Sequence, residues 1–340
     1  MDDAIDMKRQ AGKVLSHVAG YVGMRTIEIG LTHGLFEALA KHAVGLTPEQ
    51  LAAEKSVDEF YVGVWCRAAY AAEVLESPGS GRYTLAPGMD KLLLDEDFPG
   101  YLGAIPSVML QPEMFDHFSE RLPSGERTWW DRTSPEWIAA VSGTGRSFYT
   151  RLVPGGLERV PGLTDRLGSG SSIIELACGA GIGLARLARA FPEADIVGLD
   201  GDAYSLNLTT RRLTEEGLVG RARLIESSLE GLDETDRYDV AINNISMHEC
   251  RDIDKATANV YRALKPGGTF VISDFPFPSS EEGLRTVPGR IMTGIQFFEG
   301  QIDDQLLSVE DYVTLLGKHG FREIGSFEIT PVHAVVHGRK

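Results

Sequence analysis

Residues 171–202, SSIIELACGAGIGLARLARAFPEADIVGLDGD, leave few folds open to this chain. They begin with an apolar run ending at Glu175 and pass through a glycine-rich turn, 178–183. A helical pattern follows over 184–191, Pro192 breaks it, and a second apolar run ends at Asp200. The pattern is strand, glycine turn, helix, strand, which is one βαβ unit. Glycines at the turn let a ligand approach the backbone without meeting a Cβ. The helix N-terminus behind the turn offers free N–H groups. Asp200 stands about 20 residues past the first glycine, where an acid accepts hydrogen bonds from ribose hydroxyls. The dinucleotide fingerprint Gly-x-Gly-x-x-Gly is not completed, because Leu184 occupies its last position and Gly183 comes one residue early. That weakens a pyrophosphate reading. A tight βα connection without a ligand is the plainest alternative.

The rest of the chain supports an α/β protein of about two domains, as 340 residues suggest. Residues 203–216 read as helix, 223–226 as a third strand and 238–242 as a fourth. The turn Lys265-Pro266-Gly267-Gly268 delivers a fifth over 269–273. Strands alternating with helices imply a parallel sheet covered on both faces, with ligands beyond the carboxyl ends of its strands. The segment 279–307 interrupts this pattern with an apolar stretch containing Met292, Ile295 and Phe298, and reads either as a cap over a pocket or as packing. Two β-like runs around Pro331 close the chain as an antiparallel hairpin.

Ahead of the sheet, residues from about Ala4 to Ala40 read as helical. Thr47-Pro48-Glu49-Gln50 is a helix start with a capping box. A further helix over about 58–75 leads through a Ser-Pro-Gly turn to a short strand at 82–85. Helix, helix, β-wing is a winged-helix order. The helix that would read DNA carries Arg67 as its base-reading cation among many apolar residues, so a buried core helix is the better reading. A net charge of −16 also argues against binding a phosphate backbone. The three cysteines, Cys66, Cys178 and Cys250, are far apart and odd in number, so neither metal spacing nor a disulfide framework follows, and a reducing cytoplasm is expected. No apolar run approaches the ~18 residues of a membrane span. The expected divisions are a helical domain over 1–125, a helical connector over 126–170, and a catalytic domain over 171–340.

The chemistry concentrates after the fourth strand, in Asn243-Asn244-Ile245-Ser246-Met247-His248-Glu249-Cys250-Arg251-Asp252. A histidine just past a strand end and near the glycine turn is placed to take a proton, since its pKa lies near neutrality. It needs an acid to fix its tautomer. Asp274, at the end of the fifth strand, is the most attractive, ahead of the adjacent Glu249 and of Asp252. A surface or helix-capping histidine is the competing reading. Trp129, Trp130 and Trp137 pack the domain junction or wall a substrate pocket. Arg146 and Tyr149 hold a cofactor carboxylate, or are an ordinary solvated arginine and a packing tyrosine.

The glycine turn, Glu175-x-x-Cys-Gly-x-Gly-x-Gly, resembles the first motif of class I S-adenosylmethionine-dependent methyltransferases. Through LTPEQLAAEK, GRYTLAPG, IELACGAGIG, ISMHECRD, RALKPGGTF, VISDFPFP and LSVEDYVTLLGKHGF, the whole chain resembles small-molecule O-methyltransferases with an N-terminal winged-helix dimerisation domain. The resemblance implies a Rossmann-like seven-stranded sheet behind that domain, and a homodimer. It makes His248 the general base and Asp274 its flanking acid, and it leaves the second flanking acid among Glu299, Asp303 and Asp304. Cofactor contacts are expected from Glu175, Gly179, Gly181, Asp200, Gly201, Ser228, Leu229, Asn243, Tyr149 and Arg146. Glu249 is expected beside the base, and Met247, Met292, Ile295 and Phe298 at the acceptor. The family's His-Asp-Trp is His-Glu-Cys here, its adenine-holding Asp-Met is Ser228-Leu229, and a lysine four residues before the histidine is Asn244. The implied reaction is in-line methyl transfer to a hydroxyl of a planar aromatic or polyketide-like natural product, with no metal and no nucleic acid or membrane partner. The alternatives are hydroxylation, decarboxylation or cyclisation on the same fold, and a DNA-binding regulator.

Overall fold

The computed structural model describes residues 6–168 and 170–340. The chain separates into two units, 1–110 and 111–340, so the division falls at Leu110, earlier than the position near 125 read from sequence.

The first unit begins with α1 (Met7–Thr32) and α2 (Leu35–Ala40), which are two helices rather than one because Gly34 takes a left-handed conformation between them. The expected start at Ala4 lies outside the described residues. α3 (Pro48–Lys55) opens on the reciprocal Thr47–Gln50 capping box, and α4 (Glu59–Ala71) is capped by Asp58. β1 (Leu75–Gly79) and β2 (Arg82–Leu85) form an antiparallel hairpin. The segment 77–79, read from sequence as turn, belongs to β1. α5 (Met89–Leu94) and α6 (Ile105–Met109) complete the unit. Its core gathers Phe36, Leu39, Leu51, Trp65, Cys66 and Leu75.

The second unit enters through α7 (Pro112–Arg121), α8 (Pro135–Arg151) and α9 (Leu163–Leu167). The α/β core then runs β3 (Ser172–Leu176), α10 (Ile182–Ala190), β4 (Asp195–Asp200), α11 (Ala203–Glu215), β5 (Ala222–Glu226), β6 (Tyr238–Asn244), α12 (Ile253–Ala263) and β7 (Leu264–Asp274). The cap segment follows as α13 (Glu281–Leu284) and α14 (Val287–Glu299), then α15 (Val309–Lys318), β8 (Arg322–Thr330) and β9 (His333–Arg339). The sheet order is β5-β4-β3-β6-β7-β9-β8, parallel from β5 to β7, with β9 antiparallel to both β7 and β8.

Side chains alternate across a strand, so each strand feeds two cores. Ile174, Leu176, Ala241 and Ile272 pack on one face with Val260 of α12 and Tyr312 and Leu316 of α15. Ile173, Val240, Ile242 and Val271 pack on the other with Leu184 and Leu187 of α10 and the residues around α9. The chain builds outward from β3 in both directions. The crevice between the ends of β3 and β6 is therefore the topological switch point, where open sheets of this kind bind ligands.

Candidate active site

The turn after β3 owes its shape to residues with positive φ: Ala177 (53°), Gly179 (52°) and Gly181 (75°). A Cβ on Gly181 would sit 2.8 Å from Thr209, and one on Gly183 would collide with the Glu175 carboxylate and the Tyr149 ring. The glycines are thus required where α10, α11 and α8 approach the turn. Thr209 Oγ1 donates to the Gly179 carbonyl (2.6 Å) and Arg212 Nε to that of Ala180 (2.8 Å), which ties the turn to α11.

Asp200, at the end of β4, accepts from the Gly179 N–H at 2.8 Å and from the Asp202 N–H at 2.9 Å. Burial raises its pKa, while those two N–H groups pull the other way. Each of its oxygens keeps a lone pair for a further donor. Asp200, Gly201 and Gly179 line a cavity of about 610 Å³, together with Tyr149, Ser228, Leu229 and Glu230. Trp129, Trp130, Ile138 and Val141 wall its apolar side. Two of the three tryptophans therefore reach the cavity, and Trp137 packs against Phe298 at 4.2 Å between ring centres.

Glu175 is fully buried on β3, and neither carboxylate oxygen has a hydrogen-bond partner of full geometry. Burial pushes its pKa up to about 8. The neighbouring Tyr149 hydroxyl partly offsets this, and the Asp200 charge adds to it. A buried acid satisfied only in part, by the Tyr149 hydroxyl, suits a bound ammonium group. Together with the ribose-type acid Asp200 and the glycine cradle, it fits an amino-acid-bearing nucleoside such as S-adenosylmethionine.

Asn243 and Arg146 are not among the residues lining the cavity. Asn243 points to the α12 face, where its Nδ2 donates to the Leu176 carbonyl and to Ser246 Oγ. The residue that reaches the cavity is Asn244. The Arg151 Nε–H donates to His333 Nδ1 (3.0 Å), so His333 carries its proton on Nε2 and donates it to Ser273 Oγ (2.7 Å). Ser273 in turn donates to Asn244 Oδ1 (2.7 Å), which leaves the Asn244 Nδ2 without a partner. Burial, and then the Arg151 charge, hold His333 well below its usual pKa, consistent with a neutral ring.

His248 sits on a short turn past β6, almost wholly buried. Its Nδ1 is 2.8 Å from Asp274 Oδ2, and Tyr312 donates its hydroxyl to the same oxygen at 2.6 Å. Its Nε2 faces Glu299 Oε2 at 3.8 Å. Of the three acids left open by sequence, Glu299 is the one beside the ring. Burial would lower the His248 pKa, but Asp274 and Glu299 raise it well above the usual value. Glu249 lines the cavity, and burial followed by the Glu299 charge raises its carboxyl well above the usual range.

Four residues expected at the acceptor lie elsewhere than on the cavity wall. Met247 is fully buried in the α12–α15 core, because it precedes His248 on a tight turn and points the opposite way. Met292 and Phe298 are buried in α14, Phe298 also against Trp130, and Ile295 is half-buried. The sequence showed no metal-ligand cluster, yet His248, Glu249 and Glu299 converge, with one ligand atom from each lying within 4.8 Å of the others. They were missed because 50 residues separate the pair from Glu299.

Comparison with known proteins accords with this geometry. Residues 173–268 match the family described as Methyltransferase domain. A fatty-acid O-methyltransferase of Mycolicibacterium smegmatis is 30% identical over 129 residues, covering 36% of this chain and 46% of that protein. The chain spans less than half the length of the curated relatives it matches. Solved structures extend the likeness to nearly the whole chain. Human N-acetylserotonin methyltransferase in complex with S-adenosylmethionine superposes with a TM-score of 0.69 at 14% identity, covering 100% of this chain and 99% of that one. An O-methyltransferase family protein from Burkholderia thailandensis gives 0.70 at 17%, covering 97% and 98%. Residues 173–268 thus match a methyltransferase domain, and the chain shares the fold of these solved methyltransferases, with a mainly helical unit ahead of its seven-stranded sheet.

Proposed function

We propose that the chain is an S-adenosylmethionine-dependent methyltransferase that methylates a hydroxyl of a small, aromatic or polyketide-like acceptor, working as a homodimer. The observation that carries this reading is the pairing of two groups at neighbouring strand ends of one sheet. Gly179 and Asp200 line the cavity at the ends of β3 and β4, with Glu175 buried on β3 beside the wall residue Tyr149. The Asp274–His248 pair stands at the ends of β6 and β7. S-adenosylmethionine, when bound, supplies an electrophilic methyl group on a sulfonium. Asp200 would bind the ribose hydroxyls, Glu175 the ammonium, and Ser228 with Leu229 the adenine side. The Trp129–Trp130 wall would hold a planar acceptor and exclude water. Asp274, itself fixed by Tyr312, orients His248 so that its Nε2 is the nitrogen turned from Asp274, and the acceptor's hydroxyl would lose its proton at that centre.

Calorimetric titration with S-adenosylmethionine and S-adenosylhomocysteine tests the cofactor. Micromolar binding that is lost in Asp200→Ala is expected, and no binding of either ligand would overturn the reading. Turnover is then followed as S-adenosylhomocysteine released with a methylated phenol, and His248→Ala should reduce it by about 10²–10⁴-fold.

A further inference from the structure

We propose that Asn244 presents its side-chain N–H to the carboxylate of the cofactor's amino-acid end, and that Arg151, His333 and Ser273, none of which lines the cavity, are positioning residues that hold the amide that way round. The proposal rests on the S-adenosylmethionine reading. The direction of the bonds is set at the far end, because arginine carries donors alone. The Arg151 Nε–H makes His333 Nδ1 accept (3.0 Å), which puts the ring proton on Nε2. That proton goes to Ser273 Oγ (2.7 Å), and the Ser273 hydroxyl gives its own to Asn244 (2.7 Å). An oxygen has to receive it, since an amide nitrogen does not accept. With the amide turned over, Ser273 Oγ would face two donors, and its own proton would have no receiver. The two ends of an asparagine amide are nearly alike in shape. Here a guanidinium behind the cavity wall tells them apart. The Phe148 ring steadies that end, 4.3 Å from the His333 ring between centres and under the Arg151 guanidinium at 4.9 Å.

The end left over is Nδ2. Asn244 is 3% exposed, its Nδ2 has no hydrogen-bond partner, and the residue lines the cavity. A buried donor in this state is costly until a ligand takes it. Its place on the sheet selects the ligand group. Glu175 pairs with Ile242, so Asn244 lies two residues further along, on the same sheet face as Glu175. Oδ1 is turned toward β7 and Nδ2 toward β3, where Ala177 lines the cavity just past Glu175. The ammonium and the carboxylate of an α-amino acid share one carbon. A ligand with its ammonium at Glu175 therefore carries its carboxylate to the next donor in that row. The cations lining the cavity among the described residues stand elsewhere. Arg251 stacks on Trp129 at 3.6 Å, and Lys255 belongs to α12, which packs on the opposite face.

Calorimetry on the full chain compares S-adenosylhomocysteine with its decarboxylated analogue, which keeps the ammonium and lacks the carboxylate. Asn244→Asp keeps an oxygen for Ser273 and puts a second oxygen where the N–H was. It should weaken S-adenosylhomocysteine by about tenfold or more, as for a lost hydrogen bond to a charged group, and the analogue by less than about twofold. Arg151→Glu tests the chain of bonds from its far end. A carboxylate there accepts from His333 Nδ1, each bond reverses in turn, and Asn244 turns its oxygen to the cavity, so the same selective loss is expected. Arg151→Lys, still a donor alone, should bind both ligands within about threefold of the parent. Binding of the analogue shows that a variant is folded. Should Arg151→Glu not fold, Arg151→Met, which frees His333 to change tautomer, should give the same selectivity with a smaller loss. Equal weakening of both ligands by Asn244→Asp, or of neither, would overturn the carboxylate contact. Binding of S-adenosylhomocysteine at the parent's strength in Arg151→Glu or Arg151→Met would overturn the positioning role. A parent that binds neither ligand would instead remove the cofactor reading itself.

Discussion

Glu175 sets the strongest constraint at the scale of single residues. Its carboxyl has an ordinary pKa of 4.5 and about 8 in the fold, with Tyr149, Cys178 and Asp200 as the titratable groups facing it. A raised acid pKa favours the folded state fully below 4.5, and that contribution is lost as pH rises through 8. Glu175→Gln, which mimics the protonated form, should therefore resist urea better than the parent at pH 8.5, by on the order of a few kcal/mol. The difference should vanish near pH 4.5. The same variant loses the charge that faces the cofactor's ammonium, so its affinity for S-adenosylmethionine should fall about 10–100-fold, as for a lost hydrogen bond to a charged group. Equal stability at both pH values would show that Glu175 is not held protonated. Gly183→Ala tests the packing around the same residue. Its methyl would meet the Glu175 carboxylate and the Tyr149 ring, with a thermal midpoint several degrees lower and weaker cofactor binding as the expected result. The placement of Asp200 and the glycines around one turn was legible because it follows from spacing along one βαβ unit. It could not separate Asn243 from Asn244. Adjacent strand residues face opposite sides of the sheet, and which of them meets the cavity depends on the register with β3 and β7.

Elements decide what spacing cannot. β6, β7, β9 and α8 meet through Asn244, Ser273, His333 and Arg151, one residue handing its hydrogen bond to the next. Ser273→Ala would leave both His333 Nε2 and Asn244 Oδ1 buried without partners, at a cost of roughly 1–3 kcal/mol. A lower urea midpoint with an unchanged slope would show this. If the Asn244 amide is oriented for a ligand, cofactor affinity should drop as well; a stability loss with unchanged affinity would make the chain of bonds purely structural. The cap segment teaches the same lesson. Its apolar content was readable, but its inward residues were not. Phe298 packs between Trp130 and Trp137, and so fixes the end of α14 where Glu299 stands beside His248. The selection of Glu299 over Asp303 and Asp304 is a matter of helix phase and of tryptophans more than 160 residues away in sequence. A window of local sequence contains neither.

For the whole molecule, α1 poses the open physical question. Val14, Leu15, Val18, Tyr21 and Val22 are each more than half exposed. Their spacing of four, seven and eight residues from Val14 places them along one stripe of a 26-residue helix about 39 Å long. A contiguous apolar stripe of this length is unusual on a surface that meets only water. A second copy of the chain would cover it, because two-fold pairing brings the same stripe against itself. The prediction is a particle of twice the chain's 37.1 kDa by light scattering at micromolar concentration. With a net charge of −16 per chain, the copies repel, so raising the salt concentration should tighten the association. Val18→Asp combined with Val22→Asp puts two more negative charges into the stripe, and should give a monomer with unchanged far-ultraviolet dichroism, since both side chains are exposed in the isolated chain. A parent that already runs as a monomer at all salt concentrations would leave the α1 stripe to some other partner and remove dimerisation from the functional reading.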